Sequence, residues 1–264
     1  MKKFISIFST IIFILFYNSY AISATGPATV YKVTITKIEL CTAVPLANEH
    51  DVTCTGATTV GSGSKTFDVA SVSAGADVGS YVSTTGLPIG TTFTHARPTI
   101  SRAFTIKGYA EADSNCFCRT ESDSTYDSTN GKYKTVQFGY CEANATDAAA
   151  NAEENELYLG TDTGAGGTVI CGNAACNSGN NSTSYSKTQS GLNYQYGLAI
   201  SDPDTSTDTF QMIFKLESPY TVGLTAPKIE LAFGTLTSLY AYEWTDEKCF
   251  VDAYYPRSTS TITD

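Results

Sequence analysis

The cysteines carry most of this chain's reactive potential. There are eight, and two stand one residue apart in Asn115-Cys116-Phe117-Cys118-Arg119-Thr120. Neighbouring cysteines hold metals, pass electrons or form disulfides. A structural zinc site takes four thiolate or imidazole ligands, commonly in C-x-x-C pairs. The chain has no such pair and only two histidines, His50 and His95. Dithiol redox chemistry uses C-x-x-C as well. An even number of cysteines in an exported chain points instead to a disulfide framework. Cys41 and Cys54 are 13 residues apart across a polar loop, and closing it stabilises by about 3 kcal/mol in the chain-entropy picture. Cys171 and Cys176 flank Gly-Asn-Ala-Ala, a natural short loop. Cys116, Cys118, Cys141 and Cys249 remain. On an extended strand, residues i and i+2 lie ~6.6 Å apart with side chains nearly parallel, and such Cβ vectors do not converge on one bond. Cys116 and Cys118 therefore take different partners. A turn at Asn130-Gly131 folds Cys141 back opposite them, so one pairs with Cys141 and the other with Cys249. The spacing leaves open which goes where.

Other candidate chemistry is thinner. Asp162-Thr163-Gly164 matches the aspartic-protease triplet, but that reaction needs two carboxylates sharing a proton. No second triplet occurs, and the glycine-rich surroundings read as a turn before Cys171. No G-x-S-x-G elbow accompanies His50 or His95, so a secreted hydrolase using His95 is the least supported reading and no enzyme is expected. Asp202, Asp204 and Asp208 share one acidic loop, and Asp123 and Asp127 another. Hard oxygens on a turn suit calcium; the spacing is not that of an EF-hand, and a solvated loop is the plainer reading. No other cofactor is expected. Tyr240, Tyr242 and Trp244 alternate along Leu-Tyr-Ala-Tyr-Glu-Trp, as a buried seam or as a platform for sugar rings. Asn144-Ala-Thr, Asn180-Asn-Ser and Asn181-Ser-Thr are acceptor triplets if the source glycosylates asparagine.

The first 21 residues read as an export leader. Lys2 and Lys3 precede an apolar run at residues 4–16, and Ser19-Tyr20-Ala21 is a small-x-small cleavage pattern, with Ile22-Ser23-Ala24 as a second cut. The run falls short of the roughly 20 residues of a membrane-spanning helix, and no later stretch is apolar enough. The mature chain is thus expected to be secreted or at the cell surface. Sixteen basic against 26 acidic residues give a formal charge of −10, which argues against nucleic acid or anionic membrane as a partner.

The elements that must position these residues are strands. In Val-Tyr-Lys-Val-Thr-Ile-Thr-Lys-Ile-Glu-Leu, residues 30–40, Tyr31, Val33 and Ile35 share a face. The apolar phase then shifts to Ile38 and Leu40, which predicts a bulge near Thr36-Lys37. Residues 99–107 put Ile100, Phe104 and Ile106 together, with Arg102 intruding on that face. Alternation at Leu192, Tyr194, Tyr196, Leu198 and Ile200, and again at Phe210, Met212, Phe214 and Leu216, predicts a hairpin around the acidic loop 201–208. Further strands are expected at 133–140, 228–233, 237–244 and 249–255. One short helix is expected over 147–156, with Thr146 or Asp147 as its cap. The sum is one all-β domain over residues 22–264, an antiparallel β-sandwich with long disulfide-stapled loops.

One segment adds a resemblance. A strand over 30–40, a crossover, and then Leu87-Pro88-Ile89-Gly90-Thr91-Thr92-Phe93-Thr94 lead into a strand that carries Arg97. Over residues 31–106 this order resembles prealbumin-like β-sandwich domains of bacterial secreted and surface proteins. The resemblance implies a fold and a surface location and supplies no catalytic residues. Pro98 departs from the pattern and argues for an edge or a bulge. Together these features lead to an exported structural protein: a subunit of an extracellular filament or surface layer, or an adhesin. It would assemble with its own copies through strand edges, using the extended termini. A carbohydrate-binding module using Tyr240, Tyr242 and Trp244 is the alternative.

Overall fold

The computed structural model describes residues 24–45, 51–71, 86–113, 116–122, 126–127, 132–133, 138–162, 167–171, 199–200, 207–224, 228–245, 248–253 and 257–263. Several expectations fall outside them: the leader, His50, Cys176, Asp123, Asn180, Asn181, Asp202, Asp204 and positions 192–198 of the expected hairpin. Among the described residues the chain is all-β with one short helix. In order, the elements are β1 (Ala24–Gly26), β2 (Ala28–Cys41), β3 (Thr58–Asp68), β4 (Thr92–Asp113), β5 (Cys116–Arg119), β6 (Tyr126–Asp127), β7 (Lys132–Tyr133) and β8 (Phe138–Glu142). Then come α1 (Ala145–Asn151), β9 (Asn155–Asp162), β10 (Gly167–Cys171), β11 (Ala199–Ile200), β12 (Thr209–Thr221), β13 (Lys228–Gly234), β14 (Leu239–Thr245), β15 (Lys248–Ala253) and β16 (Arg257–Thr263). No helix among the described residues is long and apolar enough to cross a membrane.

Twelve strands join in one hydrogen-bonded system, and β13–β16 and β6–β7 form separate pairs; every pairing is antiparallel. Strand β4 is the spine. Its first half lies between β2 and β12, its middle pairs with β9, and its last residues pair with β5. The two strands expected near 93–97 and 99–107 are one element. Pro98, expected at an edge, is buried inside this interior strand opposite Ile38. Its missing N–H is accommodated because the ladder to β12 passes from Thr99↔Gln211 to Ala96↔Phe214, skipping Pro98 and Arg97. The bulge expected at Thr36-Lys37 is present: Ile35 pairs with Ile100 and Lys37 with Thr99.

Two apolar clusters form along β4. Phe104, Ile106 and Ala110 belong to one, with Ala28, Tyr31, Leu157, Leu239, Val251, Cys116, Cys118 and Cys249. Phe93 and Ala96 belong to the other, with Ile35, Ile38, Leu40, Leu216 and Tyr220. Arg102, itself buried, lies between them on the same run of alternate residues. Strand β12 departs from the expected one-sided pattern. Phe210 and Leu216 are buried, but so is Ile213 on the other face, while Met212 and Phe214 are half-buried. Helix α1 starts earlier than expected because Asn144 is its cap. The Asn144 side chain accepts from the Asp147 N–H and donates to the Asp147 carboxylate, a reciprocal cap worth about 1 kcal/mol. The first and last described strands pair within the chain, β1 with β14 and β16 with β13.

Where β4 leaves β2 and begins pairing with β5, Gly108 (φ 155°) passes close beneath the β1–β2 connection. A Cβ there would fall within contact distance of the Pro27 carbonyl and 2.7 Å from Leu239 Cδ1. Gly26 is equally crowded, by the backbone of Tyr109 and Ala110. Gly108→Ala is expected to cost about 2–3 kcal/mol through overpacking. Gly63→Ala, with a positive φ but open space around it, is expected to cost only about 1 kcal/mol. Thermal and urea unfolding of both variants will check this, and equal losses would mean that the crossing is not tight.

Candidate functional site

The residues with chemical potential gather at three places on β4 and its partners. At the end nearest Thr92, Glu39 of β2 faces Arg97 of β4. Its buried carboxylate accepts from Arg97 Nε and Nη2 at 3.0 and 2.8 Å and pairs with Lys37 at 2.6 Å. Arg97 Nη1 donates to the Val52 carbonyl at 2.9 Å, so the guanidinium ties the Cys41–Cys54 loop to the sheet. Burial pushes the Glu39 carboxyl up. The hydrogen bonds and charges of Lys37 and Arg97 outweigh it and hold the group below its ordinary value. Beside this pair, the Thr94 hydroxyl donates to the Thr42 carbonyl at 3.0 Å and lies 2.8 Å from His95 Nδ1. A hydroxyl has one proton, so His95 Nδ1 carries the hydrogen and Thr94 accepts it. Burial, then the charge of Lys215 across the strand, lowers the His95 pKa and keeps the ring neutral.

At the middle of β4, Arg102 Nε and Nη1 donate to the carbonyls of Thr207 and Leu159 at 2.7 Å each, and its backbone N–H donates to Asp208 O. Arg102 thereby holds Thr207 and Asp208 against β4 and β9. Of the three aspartates expected in the acidic loop, Asp208 is described and exposed.

At the far end, Thr120 lies opposite Gly108, next along from the Tyr109–Arg119 pair of β4 and β5. Its hydroxyl donates to Glu153 O at 2.6 Å and accepts from the Gly108 N–H at 3.1 Å. Next to it, Arg119 holds Glu142 at 2.9 Å, Glu121 at 2.7 Å and the Asn151 carbonyl at 2.7 Å, with its guanidinium over the Tyr140 ring. Little in the local sequence marks Thr120 or Arg119, because their partners other than Glu121 lie 12 to 33 residues away.

All six cysteines whose bonding is described form disulfides: Cys41–Cys54, Cys116–Cys141 and Cys118–Cys249, with Cα separations of 5.2, 4.6 and 5.8 Å. The alternatives left open for the C-x-C pair are thereby decided. Cys171 ends β10, and its expected partner lies outside the described residues. Strands β5 and β15 flank β8, and in a flat sheet strands two apart are separated by about 9.5 Å. The 5.8 Å between Cys118 and Cys249 means that the sheet folds sharply across β8.

The Asp162-Thr163-Gly164 triplet begins at the end of β9, whose Asp162 pairs with Gly167 of β10; Thr163 and Gly164 lie outside the described residues. On β14, Leu239 and Ala241 are fully buried, whereas Tyr240 between them is half-buried on the opposite face. Backbone register sets Tyr242 opposite Phe250, and a register shift between Glu243 and Thr245 falls at Trp244. No known family, curated protein or solved structure matches the chain.

Two pH windows follow from the lowered pKa values. Each group contributes stability in full above its unfolded pKa and loses it as pH falls through the folded value. His95 acts on descending from about pH 6.5 and Glu39 from about pH 4.3. Thermal midpoints measured from pH 8 down to about pH 3 are expected to fall in two stages. His95→Gln should flatten the upper stage and Glu39→Gln the lower. Glu39→Gln should also cost about 2 kcal/mol at neutral pH by weakening a charged hydrogen bond; unchanged profiles would remove both groups from the account.

Proposed function

We propose that this protein is an exported structural protein with an antiparallel β-sandwich fold of the prealbumin-like kind. In this reading it is a subunit of an extracellular filament or surface layer, or an adhesin, and it associates with its own copies. One observation carries the reading: the groups with most chemical potential are engaged as staples. Arg97, Arg102 and Arg119 each hold a loop or a helix end, and six cysteines are cross-linked. Disulfides persist in oxidising compartments, which supports export. The His95 ring gives Nδ1–H to a threonine hydroxyl, where a hydrolytic triad would place a carboxylate. The first and last described strands pair within the chain, so strand addition to a neighbour requires β1 or β16 to be exchanged between copies.

A second reading, a carbohydrate-binding module, draws on the position of Tyr240 away from the buried face of β14. Light scattering of the purified mature protein and negative-stain microscopy of source-cell surfaces distinguish the two. Ordered assemblies, lost when residues 24–26 are deleted, are expected. A monomer absent from every surface structure would sink the structural proposal. Glycan binding abolished by Trp244→Ala would then favour the second.

A further inference from the structure

The two interior disulfides do not follow the strand register. On the β5–β8 ladder the residue directly opposite Cys141 is Cys118, not Cys116. Yet Cys141 bonds to Cys116, and Cys118 bonds to Cys249 of β15. Cys116, Cys118 and Cys249 nevertheless sit in one cluster of buried side chains, with Cys141 packed against it. The Sγ atoms of Cys116, Cys141 and Cys249, drawn from both disulfides, all lie within 4.8 Å of one another. Cys116, Cys118 and Cys249 are at most 2% exposed, whereas Cys141 is half-buried.

We propose that these four cysteines form a single thiol–disulfide exchange unit with two pairings, entered at Cys141. The second pairing is Cys118–Cys141 with Cys116–Cys249. The co-reactant is an external thiol, such as the active-site thiolate of a disulfide isomerase or a glutathione-class small thiol.

Each step forms one S–S bond and breaks one. The external thiolate attacks Sγ of Cys141, the one of the four residues that is only half-buried, and forms a mixed disulfide while Cys116 leaves as thiolate. Cys116 attacks Cys249 Sγ, within 4.8 Å in the starting structure; the new bond is Cys116–Cys249, and Cys118 leaves. Cys118 attacks the mixed disulfide at Cys141, its register partner, and expels the external thiolate. No electrons are gained or lost overall, and the thiol is regenerated.

The exchange gives the C-x-C spacing a purpose that a fixed staple does not require. With two cysteines on one face of β5, a bond to Cys141 can form while only the β5–β8 pair is in place. It can then move when β15 brings in Cys249, 131 residues from Cys118. Closing a short loop before a long one is the entropically cheaper order.

The test isolates the register pair. In a variant carrying Cys116→Ala and Cys249→Ala, Cys118 and Cys141 are expected to bond. The readout is loss of both of their thiols to alkylation and a Cys118–Cys141 peptide in non-reducing mapping. A folded variant, judged by circular dichroism, that keeps both thiols free overturns the proposal. If the variant does not fold, the wild-type protein decides. After incubation in glutathione buffer and acid quench, the Cys118–Cys141 peptide must appear beside the native pair. Native pairing alone at every time point overturns the proposal.

Discussion

The fold depends on the backbone ladder of one 22-residue strand, β4. Its hydrogen bonds reach β2, β12, β9 and β5, so both apolar clusters are organised by its alternation. A strand of that length cannot keep one set of neighbours; twist carries its ends into different surroundings. The change of partner falls at Gly108, where the absent side chain lets the β1–β2 connection cross. Thr120 satisfies the N–H and carbonyl of Gly108 through its hydroxyl and its own N–H. Backbone polar groups left unpaired at that depth would cost several kcal/mol.

Along the spine, buried charge holds loops in place. Arg97 and Arg102 lie five residues apart on β4, and each donates to carbonyls of a distant loop while its own desolvation is offset by several short hydrogen bonds. Net stability from such buried arrangements is small, because desolvation consumes most of the attraction. Their effect is positional: losing one partner leaves a charge stranded, so alternative loop placements are disfavoured. The Cys41–Cys54 disulfide and the Arg97–Val52 bond hold the same loop, one covalently and one electrostatically. The Cys118–Cys249 bond acts at larger scale, drawing β5 toward β15 across the short β8 and folding the sheet on itself.

Local features of the sequence were readable because they act over a few residues. The phase shift from Ile35 to Ile38 predicts the bulge, and the strands beginning near Lys228, Leu239 and Lys248 follow from alternation. Parallel side chains at i and i+2 require Cys116 and Cys118 to have separate partners. The misreadings share a cause in tertiary context. Pro98 sits in an interior strand because the β12 ladder skips it. Ile213 is buried because both faces of β12 are covered. The helix begins at Ala145 because Asn144, read only as a glycosylation acceptor, accepts a backbone N–H as a cap.

By itself, then, the sequence determined the all-β character, the antiparallel alternation and the need for two staples at the C-x-C pair. Each of these follows from the geometry of a single strand. Tertiary structure alone decided that Cys116 takes Cys141 and Cys118 takes Cys249. It alone set Glu39 opposite Arg97, 58 residues away, and Arg102 against the backbone of Thr207 and Asp208. Those choices depend on which strands become neighbours and how sharply the sheet folds. Such quantities are set by the packing of the whole chain, and no local pattern of residues encodes them.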